Sequence, residues 1–306
     1  MGILVVGSVA LDTVTTPSGT RREMLGGSAT HFSASASFFT GVRLVAVVGE
    51  DFGPEHEKPL RDRGVDLGGL QRVPGRTFRW TGEYGDDLNN PTTLETQLNV
   101  FAGFEPVLPP GWNQTQVLFL ANIDPELQWK VLEQTQACEL VAADTMNYWI
   151  GSKPEALRRL LPRVKVLLIN DGEIRQLTGR KNVVEAADAV RDLGTAVVVV
   201  KRGEHGVAVF GAGETFAIPA FPLRKVVDPT GAGDTFAGGF LGFLARSASF
   251  ESEEFRRAAV AGSVMASFQV EDFSLDRLKR LTPGEIRERY DAFRRLTAFG
   301  AYPDTL

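Results

Sequence analysis

Short runs of wholly apolar, mostly β-branched residues recur along the chain, at 3–6, 44–48, 117–120, 140–143, 164–169, 196–200 and 207–210. A strand with one wet face alternates polar and apolar residues. These runs do not alternate, so each must be covered on both faces. Helix-like stretches lie between many of them, at 126–137, 154–161, 173–178 and 184–193, and longer ones follow at 253–268 and 283–298. Buried strands alternating with helices predict an α/β sandwich of three layers around a mostly parallel sheet. The 306 residues are read as a single domain, 1–306, with no internal repeat or low-complexity segment.

One segment departs from that pattern. Phe78, Trp80 and Tyr84 fall on one face of a strand, with Arg79 and Glu83 on the other. A polar turn follows at 86–91, and Leu94, Thr96, Leu98 and Val100 then alternate again. Strict alternation belongs to a sheet with one covered face. It predicts a small antiparallel flap inserted over approximately 76–104. Its apolar face can cover a ligand, pack on the domain or clasp a second copy. A monomeric mass at micromolar concentration counts against the clasp. Flap core and substrate contact are compatible roles for Phe78 and Trp80.

Composition removes other classes. The chain is 43% hydrophobic and 23% charged, with a net charge of −5 and no basic run, which argues against nucleic acid or an anionic membrane as the main partner. No apolar run reaches the length of a membrane span, and the start at Met1 lacks the pattern of a signal peptide. Cys138 is the only cysteine, so an intrachain disulfide is impossible and a cytoplasmic setting is expected. His31, His56 and His205 are scattered without metal-ligand spacing, which argues against zinc.

In an open parallel sheet, ligands bind beyond the carboxyl ends of the strands. The polar residues there are Gly7 and Ser8 with Asp12 further on, Asn122 and Asp124, Asp144, Asn170 and Glu173, and Lys201 to Gly206. The densest group is Asp228-Pro229-Thr230-Gly231-Ala232-Gly233-Asp234-Thr235-Phe236. Gly231, Ala232 and Gly233 carry almost no side chain and open a helix, so their backbone N–H groups make an anion site. Asp234 follows in the first turn. A carboxylate beside a bound phosphate is repelled unless it has a chemical task, such as taking a proton from an attacking hydroxyl.

Asn170 and Glu173 lie three apart at a strand-to-helix junction. They suit either a water-mediated Mg²⁺ site or a helix cap. Gly203 and Gly206 suit a nucleotide lying on the backbone, or a plain turn. Gly26 and Gly27 lead into another helix start, which brings His31 towards the pocket of Asp12. No Gly-x4-Gly-Lys-Ser/Thr, His-Arg-Asp, Gly-x-Ser-x-Gly or Gly-x-Gly-x-x-Gly motif is present, so P-loop, protein-kinase, hydrolase and dehydrogenase readings fall away.

The stretch 228–236 resembles the C-terminal signature of the ribokinase-like (PfkB) carbohydrate kinases. Gly26-Gly27 resembles their double-glycine motif and Asn170-x-x-Glu173 their magnesium motif. The segment 201–206 resembles the nucleotide side, and the flap resembles their β-sheet lid. The resemblance implies a ribokinase-like fold and transfer of the γ-phosphoryl group of ATP to a sugar-like hydroxyl, with Mg²⁺. It makes Asp234 the general base and Gly231, Ala232 and Gly233 the anion hole. It sets Asp12, Gly26, Gly27, His31 and Trp80 on the acceptor, and Lys201, Gly203, Gly206 and Thr230 on the nucleotide. Asn170, Glu173 and Asp228 then serve metal ions, Asp228 near a monovalent cation such as K⁺. His31 stands where ribokinase has an asparagine, which puts ribose in doubt and makes a nucleoside the rival acceptor. A non-catalytic nucleotide-binding regulator is the rival from another class.

Overall fold

The computed structural model describes residues 2–89, 91–211 and 213–300. The strands are β1 (Ile3–Val6), β2 (Ala10–Thr16), β3 (Gly19–Gly26), β4 (Val42–Val48), β5 (Asp66–Arg72), β6 (Phe78–Glu83), β7 (Thr92–Gln97), β8 (Gln114–Leu120), β9 (Ala137–Asp144), β10 (Val166–Asn170), β11 (Val197–Lys201), β12 (Val207–Gly211) and β13 (Gly213–Ile218). Nine of them form one sheet in the order β13-β12-β11-β10-β9-β8-β1-β4-β5. Its pairs are parallel except β11 with β12 and β12 with β13.

The apolar runs behave as their lack of alternation demands. Along β1, Ile3 and Val5 enter one core cluster while Leu4 and Val6 enter another on the opposite face. Helices Ser28–Ala36, Pro54–Arg61, Ala232–Ser247, Ser252–Gln269 and Pro283–Thr297 close the first face through Phe32, Leu60, Phe240, Phe255 and Phe293. Helices Pro125–Gln134, Pro154–Leu160, Asp171–Thr178 and Val183–Asp192 close the second through Val131, Leu157, Ile174 and Val190. Burying side chains of that size contributes about 1.5–3 kcal/mol each.

The alternating segment does form a separate sheet, of order β3-β2-β6-β7. Half of this lid comes from β2 and β3, outside the 76–104 insertion. β2 carries Asp12, Thr13, Thr15 and Thr16 in place of a clean alternation, so only its pairing with β6 reveals it. The second flap run is also shorter than its alternation suggests. β7 ends at Gln97, Leu98 caps a 3-10 turn that begins at Asn99, and Val100 lies within that turn. Val226 and Val227, an apolar β-branched pair directly before the 228–236 stretch, lie outside the strands. The Val227 N–H instead donates to the Val270 carbonyl at 2.7 Å.

Candidate active site

Lys201 closes β11, Asn170 closes β10 and Asp144 closes β9. Neighbouring parallel strands thus place three polar ends side by side on the carboxyl edge. Lys201 Nζ reaches across to donate to Asp144 Oδ2 at 2.6 Å, and both side chains are largely buried, at 17% and 4% exposure. Burial works against the Lys201 ammonium, and the carboxylates of Asp144 and Glu173 beside it outweigh that and raise its pKa. Asp144 marks the end of an apolar run in the sequence, which was its only signal. Its partner depends on strand order and was not legible.

The helix Ala232–Ser247 begins beside this pair. Gly231 is its N-cap in the left-handed region, at φ 73, and no side chain caps the helix. The Ala232 N–H donates to the Pro229 carbonyl at 3.1 Å, which braces the turn, and with no side-chain cap the helix start still presents its positive end to an anion. Glycine is required at Gly231, because an added Cβ would lie 2.4 Å from ring carbons of His31. At Gly233 an added Cβ would lie 3.3 Å from Lys201 Nζ, so the ammonium stands over the same turn. Two further contacts fix the helix start from the double-glycine side. Ser35 Oγ donates to the Thr235 carbonyl at 2.7 Å, and Gly238 admits the Phe32 carbonyl, which would stand 2.4 Å from a Cβ there.

Asp234 is the third residue of this helix. Burial, followed by the nearby Asp144 carboxylate, pushes its carboxyl up to about 7; Lys201 and its own backbone N–H oppose the shift. Asp12, on the lid strand β2, is also pushed up to about 7, first by burial and then by Asp228 and Asp234. The Gly27 backbone N–H steadies Asp12, and Gly26 leaves it room, since a Cβ there would lie 1.9 Å from Asp12 Oδ2. The double glycine therefore serves to seat a carboxylate. β2 and β6 pair Asp12 with Trp80 in register, so the two side chains leave one face of the lid together. Trp80 Nε1 donates to Thr93 Oγ1 at 3.2 Å. Arg79 turns to the other face and pairs with Asp51 and Glu23.

The remaining expected residues fall out less simply. His31 is only 1% exposed, its ring lies against Gly231, and its Nδ1 has no hydrogen-bond partner. Burial lowers its pKa to about 4, with the Gln269 side chain opposing, so it is a neutral prop behind the anion turn. Asn170 and Glu173 form a capping box: Glu173 N–H donates to Asn170 Oδ1 at 2.8 Å, and Asn170 N–H donates to Glu173 Oε2 at 2.9 Å. Glu173 still faces the pocket. Burial pushes its carboxyl to about 7, against Lys201 and with Asp144 and Asp234. Asp228 is fully buried on the Asp12 side. It accepts from the N–H of Thr230 at 2.9 Å and of Ser274 at 3.2 Å, and it does not join Asn170 and Glu173. Thr230 Oγ1 lies 3.3 Å from Tyr84 Oη. Gly203 opens a 3-10 turn against the lid residue Asn89, whereas Gly206 is needed for packing, as a Cβ there would meet the Ile218 carbonyl at 2.0 Å.

The raised carboxyls have a consequence for stability. A group protonated more readily when folded stabilises below its unfolded pKa, and that contribution is lost as pH rises through the folded value. For Asp12 the window runs from about 4 to about 7. Asp12→Asn is expected to raise the apo melting temperature at pH 8 by a few degrees, to raise it clearly less at pH 5, inside that window, and to leave it nearly unchanged only below about pH 4, read by circular dichroism. Equal shifts across this range would refute the burial argument.

An acidic and cationic pocket on the carboxyl edge of a doubly covered sheet, beside an uncapped helix start, is the arrangement of a phosphoryl-transfer enzyme. Residues 3–277 match the profile of the pfkB family carbohydrate kinases. The cytidine kinase of Thermococcus kodakarensis is 32% identical over 257 residues, covering 82% of this chain and 91% of that protein. The nucleoside kinase of Methanocaldococcus jannaschii is 25% identical over 234 residues, 74% of this chain and 72% of the relative. Among solved structures, a nucleoside kinase of that organism superposes with a TM-score of 0.78 at 21% identity, covering 95% of this chain and 99% of the other. Burkholderia thailandensis nucleoside kinase in complex with inosine gives 0.76 at 19% identity, covering 95% and 98%. The chain belongs to the pfkB family of carbohydrate kinases. It is an ATP-dependent kinase whose phosphoryl acceptor is a hydroxyl of a sugar-like molecule.

Proposed function

We propose that the acceptor is a nucleoside. The observation that carries this reading is the register of the lid, which sets the Trp80 indole beside the Asp12 carboxylate on one face. A carboxylate suits ribose hydroxyls and an indole suits a flat base, a pairing that a free sugar does not need. The cytidine and nucleoside kinases among the relatives agree with it. Asp234 takes the proton of the acceptor hydroxyl, and that oxygen forms a bond to the γ-phosphorus of ATP. The bond between the γ-phosphorus and the bridging oxygen breaks, and ADP leaves with its electron pair. The N–H groups at 231–233 and the Lys201 ammonium hold the charge on the transferred group. A carboxyl near 7 is well matched to proton transfer at neutral pH.

Mg²⁺ fits this pocket as an ion that keeps most of its waters. Among the described residues no group of three or more His, Cys, Asp or Glu gathers as a ligand set. Glu173 and Asn170, on the Lys201 side, would reach the ion through water, and it would neutralise phosphate charge there. A K⁺ ion near Asp228 and pairing of two copies through the lid, where Leu94 and Leu98 are exposed, belong to the same proposal. No helix among the described residues is long and apolar enough to cross a membrane.

A panel of nucleosides, free pentoses and hexoses with Mg-ATP, run in potassium and in sodium salts, tests the reading. ADP release is expected with cytidine or another nucleoside, at a kcat/KM at least ~10-fold above any free sugar. Preference for a free sugar would overturn the nucleoside assignment, and nucleotide binding without ADP release for any acceptor would favour a regulator.

A further inference from the structure

The turn that carries the anion site is tied to the lid in three places. Thr16, at the end of β2, donates through Oγ1 to the Val227 carbonyl at 2.8 Å. Ser274 Oγ donates to the Leu25 carbonyl of β3 at 2.5 Å, while its N–H donates to Asp228 Oδ2 at 3.2 Å. Tyr84, directly after β6, places its Oη 3.3 Å from Thr230 Oγ1. Between these points the turn is braced internally. The Thr230 N–H donates to Asp228 Oδ1, and Gln269 Nε2 bridges the carbonyls of Thr230 at 3.2 Å and Ser274 at 2.6 Å. Ser274 holds a left-handed φ of 51, uncommon for a residue with a side chain, so the surrounding bonds must hold it there.

Of the three ties, the one from Tyr84 reaches furthest into the turn. Thr230 immediately precedes Gly231, the cap of the catalytic helix. Tyr84 is 8% exposed, and its N–H is anchored on the Thr15 carbonyl at 2.8 Å, so the phenol is carried rigidly by the lid. Its hydroxyl is the only polar atom of the side chain, and it meets the turn instead of solvent. We propose that Tyr84 is a positioning residue: with the lid seated, its hydroxyl fixes Thr230 and thereby the N–H groups at 231–233, so that covering the acceptor and assembling the phosphoryl pocket are one event. An open lid releases Thr230, leaves the pocket slack and spares ATP from transfer to water. The inference rests on the reading of 231–233 as the phosphoryl site.

The test is a double-mutant cycle of Tyr84→Phe and Thr230→Val, read in two ways. Hydrogen exchange of the free enzyme needs no acceptor. Peptides covering 228–236 are expected to exchange faster in each single variant and no faster in the double, with β1 and β8 unchanged. With whichever acceptor the panel identifies, kcat is expected to fall about 5- to 10-fold in each single variant, the scale of one hydrogen bond, with KM for ATP within about 2-fold and no further loss in the double. Losses that multiply in the double, or wild-type exchange in Tyr84→Phe, would overturn the proposal. A fall in kcat without faster exchange overturns it too, since the hydroxyl then acts on substrate. If the panel finds no acceptor, the proposed function fails, and the exchange cycle alone still decides whether Tyr84 fixes the turn.

Discussion

Asp234→Asn is expected to lower kcat by at least ~10²-fold while leaving ADP affinity near that of the wild type. The amide is close to isosteric, so the helix start, Lys201 and the N–H groups at 231–233 keep their places and only proton acceptance is lost. Wild-type kcat/KM should rise with pH on an acid limb near 7, where burial and Asp144 set the carboxyl. That limb should lose its Asp234 component in the variant. Coupled-assay kinetics across about pH 5.5–9, with calorimetry for ADP, check both parts. Near-normal turnover would remove Asp234 from the role of base. Asp12 also titrates near 7 and interacts with Asp234, so the limb belongs to the pair in the wild type. Asp12→Asn, which bears on the acceptor, separates the two.

Gly231→Ala is expected to damage stability and turnover together. The residue sits at φ 73, where a Cβ costs about 1–2 kcal/mol. That Cβ would also stand 2.4 Å from the His31 ring, which is 1% exposed and cannot swing away. The turn must shift outward. Displacing N–H donors by about 1 Å from a developing charge costs on the order of 10²-fold in rate. A melting temperature several degrees lower, with kcat reduced by about that factor, is the expected result. Wild-type values of both in Gly231→Ala would refute the packing argument. The comparison with Asp234→Asn is informative, because that variant is expected to lose rate without losing stability.

His31 shows how far local sequence carries. Its place in the double-glycine segment suggested a hand on the acceptor, and the fold also packs its ring against Gly231. Nothing within the segment announces this, because the neighbour lies two hundred positions away. Asn170 and Glu173 show the reverse. Their spacing allowed a cap or a metal site, and the fold gives a cap whose carboxyl also faces Lys201 and Asp234. The two readings compete only in sequence, where a side chain is assigned one neighbour at a time.

The sequence by itself determined the covered parallel sheet, the alternating lid segment and the glycine-rich helix start that ends in Asp234. Each follows from a periodicity or a steric requirement confined to a few consecutive residues. Tertiary structure alone decided that Asp144 pairs with Lys201, that β2 and β3 complete the lid, that Asp12 stands beside Trp80, and that Tyr84 reaches Thr230. These depend on strand order and register. Contacts between distant segments are selected by burial of the whole sheet, and no local pattern encodes them.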